Sequence, residues 1–500
     1  MLSSHTPPSP SAPAPELSRR AVLKAGAAAL AGLALPLRGA ATRARKRVIV
    51  AGGGIGGLSC AFELVKLGHD VILLEASGRT GGHVKTLREG LPGKLYADAG
   101  AEQFPGRPAY ALVWDYIDQF GLKPLRWRRN ENVFRRLGDR WYSDRELADP
   151  AVLKRLGFAP HEADFVAQHG LSELPVLYLK AYFAKFKDEF RPLGSGLDDL
   201  DGQLPADILA REGASDAAIR FSRMGRRSTP GKPPADGDAS ALYRIWTAAT
   251  IHNRGLRQQP KELYHLEGGN DLLTEALASR LGDRVRRNSP VTAIEFDGSS
   301  VKVTAGPPGA SRELRADHLV LSMSPLAVAG ITVKPGWPAD KAFALAHTRV
   351  GIHSRVLLLT RTPFWKGDWP SINLQTGNPK MGSTCETAEE VPGDQRLLFG
   401  TGGAVQTPEG TVAAFRSFYP GKAKDTIERG IVHQWWKEEP TCAGCEREPF
   451  PFGKFARIWP FLTESVGPVH FVGAAYDSLW RGMEAATRTG HRAAQRIHAA

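Results

Sequence analysis

The sequence predicts an α/β protein in which a Rossmann-like dinucleotide-binding fold is combined with a second, discontinuous α+β domain. Residues 48–75 run in the order apolar strand, glycine turn, helix, apolar strand, acid. Strand-and-turn patterns of the same kind return after residue 261 and again after residue 467, with helical and mixed stretches between them. The 500 residues exceed what one hydrophobic core usually supports.

Val48, Ile49 and Val50 form a continuous apolar run, which suits a parallel strand covered on both faces. Gly52, Gly54 and Gly57 then follow the G-x-G-x-x-G spacing. The first permits a tight turn, the second lets the backbone approach a pyrophosphate, and the third lets a helix pack closely on the sheet. Leu58, Ala61, Phe62 and Val65 repeat at helical spacing, and Gly68 is placed to end that helix. Gly52, Gly54, Ile55, Gly56 and Gly57 thus offer backbone N–H groups and a positive helix end to phosphates. Val71 to Leu74 make the second strand, and Glu75, 21 residues after Gly54, is placed to accept from ribose hydroxyls.

With 42% apolar and 23% charged residues, the composition is that of an ordinary soluble globular protein. The net charge of +13 invites a nucleic-acid reading, but its distribution argues against one: there is no basic helix and no interleaving of aromatic and basic residues. Residues 1–41 read as an address. Ser18-Arg19-Arg20-Ala21-Val22-Leu23-Lys24 is followed by an uncharged run, Ala25 to Leu37, too short for a stable membrane span. This resembles a twin-arginine signal, which implies the twin-arginine export machinery as a partner and a periplasmic or secreted location. Four cysteines make no disulfide framework, and Cys442 and Cys445 form a single C-x-x-C, read as a local disulfide rather than a zinc site. No metal is expected.

After Glu75 and Ala76 the chain reads Ser-Gly-Arg79-Thr-Gly81-Gly82-His83-Val-Lys-Thr86. A second glycine pair presents more N–H groups to the diphosphate, and Arg79 adds charged donors. Here the sequence resembles the flavin-containing amine oxidases, in which E-A-x-x-R-x-G-G-R-x-x-T holds FAD; His83 stands in place of the second arginine. Val291, in Asn-Ser-Pro-Val-Thr-Ala-Ile294, matches the strand that passes the adenine. The closing stretch from Phe471 through Gly473 to Gly482-Met483-Glu484-Ala-Ala matches the family's F-A-G-E and G-x-M-E-G-A pair, whose helix N-terminus faces the flavin. The resemblance therefore implies non-covalent FAD, no cysteine lying between Pro449 and Phe461, and a glutathione-reductase-type FAD-binding fold. The implied layout is FAD-binding segments at 46–105, 261–330 and 450–500, with substrate-domain segments at 106–260 and 331–449.

On the substrate side the sequence departs from its relatives. Asp98-Ala-Gly-Ala-Glu102-Gln103-Phe-Pro matches the L-amino-acid oxidase motif D-x-G-A-M-R-x-P, but Gln103 replaces the arginine that clamps a substrate carboxylate, which weakens an α-amino-acid reading. Arg355 occupies the place of a lysine that holds a water near flavin N5; it keeps the donors but cannot act as a base. His353, two residues away, would share its strand face. Gly482 replaces a cage aromatic, for which Trp459, Phe461 or Trp480 could substitute, and Ala474 replaces a ribityl contact. Arg355, Gln103 and His353 are the catalytic candidates. The resemblance implies oxidation of an amine or amino-acid-derived small molecule by hydride transfer to flavin, with dioxygen as acceptor and hydrogen peroxide as product. The other readings are an FAD-dependent dehydrogenase or desaturase of a non-amine substrate, and a flavin-binding protein without turnover.

Overall fold

The computed structural model describes residues 44–500 except 223, 236, 308, 352, 404–405, 423–425, 443, 445 and 480–481. The expected signal segment 1–41, Trp480, and the Cys445 half of the expected disulfide lie outside the described residues.

A five-stranded parallel sheet positions everything else. Its strand order is Val285–Arg286, Asp70–Leu74, Arg47–Ala51, His318–Leu321, Val469–Phe471. Arg47–Ala51 is central and paired on both sides, and Val48, Val50 and Ala51 are at most 1% exposed. This is the physical reason for its unbroken apolar run. The helix Ile55–Lys66 covers one face and crosses the C-terminal helix Gly482–Ala499 at a glycine contact. A Cβ at Gly490 would run into the Gly56 carbonyl oxygen, 2.5 Å away.

The return segment splits between two sheets. Val291–Phe296, Val301–Ala305 and Arg312–Ala316 form a meander. The chain then turns at Asp317, whose carboxylate accepts from the Arg47 backbone N–H at 2.8 Å, and enters the parallel sheet as His318–Leu321. Thr332–Lys334 pairs in parallel with Ala293–Glu295. The meander sheet therefore continues past residue 330, where the sequence pattern placed a boundary.

A seven-stranded sheet joins strands from the second half of the chain to the hairpin Phe134–Leu137 and Arg140–Ser143. Its central strand Ser354–Thr360, buried along its length, lies between Ile427–Gln434 and Arg396–Gly402. Helices from Pro150 to Asn253 pack as a separate layer. One apolar core joins that layer to the underside of the parallel sheet, from Ile49, Ala51 and Leu319 through Trp246, Phe455 and Trp459. Trp459 packs 4.6 Å from Trp246 and donates to the Phe190 carbonyl, so it is core rather than a pocket wall. No described helix is long and apolar enough to cross a membrane.

Candidate active site

The two glycine loops meet backbone to backbone. Gly52 sits at φ +110°, and a side chain there would strike the Ser322 carbonyl; one at Gly57 would strike the Gly52 carbonyl. Gly54, the N-cap of the helix Ile55–Lys66, has no side-chain cap, and a Cβ on it would meet only open space. The first helical turn at Ile55, Gly56 and Gly57 therefore has its N-terminal amides on an open face. The second loop lies on the first. The Gly81 N–H donates to the Gly53 carbonyl at 2.8 Å, and a Cβ on Gly82 would sit 3.1 Å from Gly54 Cα. Glu75, 7% exposed, ties the loops together: Oε2 accepts from Gly53 N–H at 2.7 Å, and Oε1 accepts from Ser77 N–H and Oγ at 2.8 Å. Ala76 follows it at the end of the second strand. This cradle of backbone donors, closed to side chains except where Gly54 opens, fits the diphosphate and ribose of a dinucleotide.

Several side chains expected to reach the cofactor are engaged elsewhere. Arg79 lays its fork on Glu439, from a segment 360 residues later, and donates to the Gly82 carbonyl at 2.8 Å. Lys85 pairs with the same carboxylate, so the Arg79 fork assigned to phosphate shares one carboxylate with a second cation. His83 stacks on Trp435 at 4.2 Å, and its Nε2 abuts the Cys442 carbonyl. Burial pushes its pKa down to about 4, so it is a neutral plate and not a substitute for the missing arginine charge. Met483 packs into the core with Ile55 and Val472. The Glu484 carboxylate caps another helix, accepting from Leu112 N–H at 3.2 Å and Val113 N–H at 3.0 Å. The helix itself begins at Gly482. Gly473 is in the positive-φ region at +140°, its N–H held by Thr489 Oγ1 at 2.9 Å. Val291 opens the meander and packs beside the shared core.

The substrate-side positions form one ionic cluster. Arg355, 7% exposed, donates from Nε to the Ala99 carbonyl at 3.0 Å and from Nη1 to Thr401 Oγ1 at 3.1 Å. Its Nη2 donates to the Gly100 carbonyl at 2.8 Å and to Glu102 Oε2 at 2.7 Å. With four bonds made and its plane 4.0 Å from the Phe399 ring, Arg355 fastens the 99–102 loop to the seven-stranded sheet. Arg129 was not singled out in the sequence. Its Nη1 donates to Glu102 Oε1 at 3.1 Å and to Gln103 Oε1 at 3.0 Å. Burial would raise the Glu102 pKa, yet Arg355 and Arg129 together hold it below the ordinary carboxylate value. His353 is exposed and precedes the strand that carries Arg355, so it shares no strand face with it and is not part of the cluster.

Gly482 sits at φ +84°, and a Cβ there would strike the Tyr110 hydroxyl. Tyr110 thus fills space that a side chain at 482 would take. The contacts of Glu439, Trp435, Tyr110 and Arg129 with the expected positions were invisible in the sequence because each meets its partner across at least 26 residues. Only the charge of Glu439 and Arg129 was available as a signal.

The model of the family described as "Flavin containing amine oxidoreductase" matches residues 55–498, and the chain belongs to that family. Among curated relatives, an L-amino-acid oxidase of Demansia vestigiata is 27% identical over 331 residues, covering 65% of this chain and 59% of the relative. An L-amino acid oxidase of Cerastes cerastes is 28% identical over 338 residues, with the same coverage. The matches thus span about three-fifths of these relatives' length. Solved structures with the same fold include a putrescine oxidase double mutant, at TM-score 0.73 and 19% identity, covering 91% of this chain and 99% of that one. Cyclohexylamine oxidase from Brevibacterium oxydans IH-35A follows at TM-score 0.70 and 24% identity, with the same coverage. The fold is the mixed α/β FAD-binding fold, and the cofactor is FAD.

Proposed function

We propose that this protein oxidises an amine or amino-acid-derived small molecule and passes the electrons to dioxygen, releasing hydrogen peroxide. The observation that carries this reading is the pair of interlocked glycine loops, which fit FAD, in a chain that belongs to the amine oxidoreductase family. When bound, FAD supplies the hydride acceptor.

The chain's own part is binding and orientation. Gly52 to Gly57, Gly81 and Gly82 would hold the diphosphate through the backbone, and Glu75 the adenosine ribose. The N-terminus of Gly482–Ala499 would direct its dipole at the flavin pyrimidine. Arg355 and Glu102 would keep the 99–102 loop seated against the seven-stranded sheet, so that the loop bearing Gln103 forms a fixed wall. In this reading the parallel sheet, the 261–330 region and the C-terminal segment serve the cofactor, and the remaining segments serve the substrate. The N-terminal residues serve export by the twin-arginine route.

A second reading, an FAD-dependent dehydrogenase of a non-amine substrate, draws on one observation: Arg355, which as a guanidinium cannot take up a proton, has four of its five donors taken and so little left to position a water. The test is to offer the purified yellow protein a panel of amines and amino acids while following flavin bleaching and peroxide. Bleaching with stoichiometric peroxide is expected. Bleaching without peroxide supports the dehydrogenase, and no bleaching with any amine overturns the proposal.

A further inference from the structure

The C-terminal helix Gly482–Ala499 carries Arg488, Arg492 and Arg496 at four-residue spacing, so the three guanidinium groups leave from one face. Like charges so placed repel, and the row is costly unless anions answer it. Asp477, fully buried, pairs with Arg488 at 3.2 Å and with Arg492 at 3.1 Å. Glu189, from the loop after the helix Leu174–Phe183, pairs with Arg488 at 2.6 Å and with Arg254 at 3.1 Å. Arg496 is exposed and makes no hydrogen bond or ion pair with a described residue.

This row runs into a cleft of about 170 Å³. Arg492 and Arg496 line it from the helix, Arg191 lines it from the Glu189 loop, and Ser465 and His470 line it from the sheet side. Among the described residues the one carboxylate in its wall is Asp188, which lies 3.9 Å from Arg191 and accepts from the Phe190 N–H at 2.8 Å. Taken with everything they pair with, Arg191, Arg254, Arg488, Arg492 and Arg496 stand against Asp188, Glu189 and Asp477, which leaves two positive charges in excess. Lys46 adds to the field, since it and Arg496 both act on His470.

The row faces away from the cofactor cradle. Gly490, which touches Gly56, stands about 200° round the helix from Arg488 and Arg492. A ligand of the cleft is therefore not a ligand of the glycine loops.

Size and charge define the ligand. The volume is well below the roughly 300–1,000 Å³ of sites for drug-sized molecules, so the ligand is small. A phosphate group carries about −1.5 to −2 at neutral pH and three acceptor oxygens. That matches the excess charge and the three guanidinium groups in the wall, whereas the two oxygens of a carboxylate suit one guanidinium fork.

We infer that this cleft binds a single phosphate group, free or carried on a small ester, through Arg496, Arg492 and Arg191. The site is additional to the FAD cradle and does not depend on which substrate the flavin oxidises.

The test uses the FAD-loaded protein in phosphate-free buffer at fixed ionic strength, titrated calorimetrically with inorganic phosphate, methyl phosphate and acetate. Saturable binding of one equivalent of a phosphate probe is expected, with the flavin spectrum showing FAD retained and acetate binding at least about tenfold more weakly. Arg496→Gln and Arg191→Gln alter exposed side chains and should leave the melting temperature and FAD content unchanged. Each should weaken phosphate binding by about tenfold or more. Tighter binding of inorganic phosphate assigns the cleft to the free ion, and tighter binding of methyl phosphate assigns it to an ester; either supports the inference.

No saturable binding of either phosphate probe overturns it, as does acetate binding as tightly as phosphate. Phosphate binding unchanged in both variants also overturns it, and so does phosphate uptake matched by release of FAD, which would place the anion in the cradle.

Discussion

The glycine-loop cradle and the proposed substrate side of this molecule are built by different means. The cradle is backbone, its glycines close in sequence at 52–57 and 81–82, and its geometry follows from what a Cβ would hit. The substrate side is side chains, and its central ion pair joins residues 253 positions apart. A backbone site tolerates almost no substitution but needs little from distant segments. A charged side-chain site can change its residues, provided charge and donors balance across the whole cluster.

That contrast is broken most directly at Gly52. Gly52→Ala puts a Cβ into the Ser322 carbonyl at a positive φ, and we expect a loss of about 3 kcal/mol or more together with loss of bound FAD. Retention of yellow, folded protein would show that the cradle is less strictly a backbone device than described. Glu102→Gln should come next. It leaves Arg355 and Arg129 facing each other without their carboxylate, at a site 21% exposed, and should cost about 2–3 kcal/mol in urea unfolding. FAD content should be kept if the two sides are independent.

Glu484→Ala sharpens the comparison from the other direction. Because that carboxylate caps the helix Ala111–Phe120, the expected outcome is a loss of about 1 kcal/mol with FAD affinity unchanged. A selective fall in FAD affinity would return Glu484 to the cofactor.

A further effect is set by pH at the edge of the parallel sheet, on the strand Val469–Phe471. Burial pushes His470 down to about 3, with His318, Arg496 and Lys46 adding to the shift. Its Nδ1 meets Ser465 Oγ at 2.9 Å, and its Nε2 meets His318 Nδ1 at 3.2 Å. The folded protein thus resists a proton that the unfolded chain takes up near 6.5. This contribution is complete above pH 6.5 and is lost progressively as pH falls toward 3. Melting temperature should decline over that acid range, and His470→Gln should flatten the decline between pH 6.5 and 4.5.

Much of the fold was legible because its signals are local. Val48 to Val50 announce a strand covered on both faces, and Gly54 marks where the backbone must stay open. The meander's continuation to Lys334 was not legible, since Thr332–Lys334 is a strand only by pairing with Ala293–Glu295. In the site, the glycine loops and Glu75 could be read with their geometry. Arg79, Met483 and Glu484 could be read as positions but not as side-chain contacts. A motif specifies where a residue stands, while the partner its side chain meets comes from another segment.

By itself the sequence determined the class of fold and the two glycine loops, because those depend on backbone sterics within some 35 residues; that the Glu75 carboxylate also braces Gly53 and Ser77 is seen only in the structure. Only the tertiary structure decided what became of the substituted positions. It paired Arg355 with Glu102, left His353 outside, set Tyr110 against Gly482, and brought Arg129 to Gln103. These are settled by which charges and donors remain unsatisfied once distant segments pack together, a balance that no single segment contains.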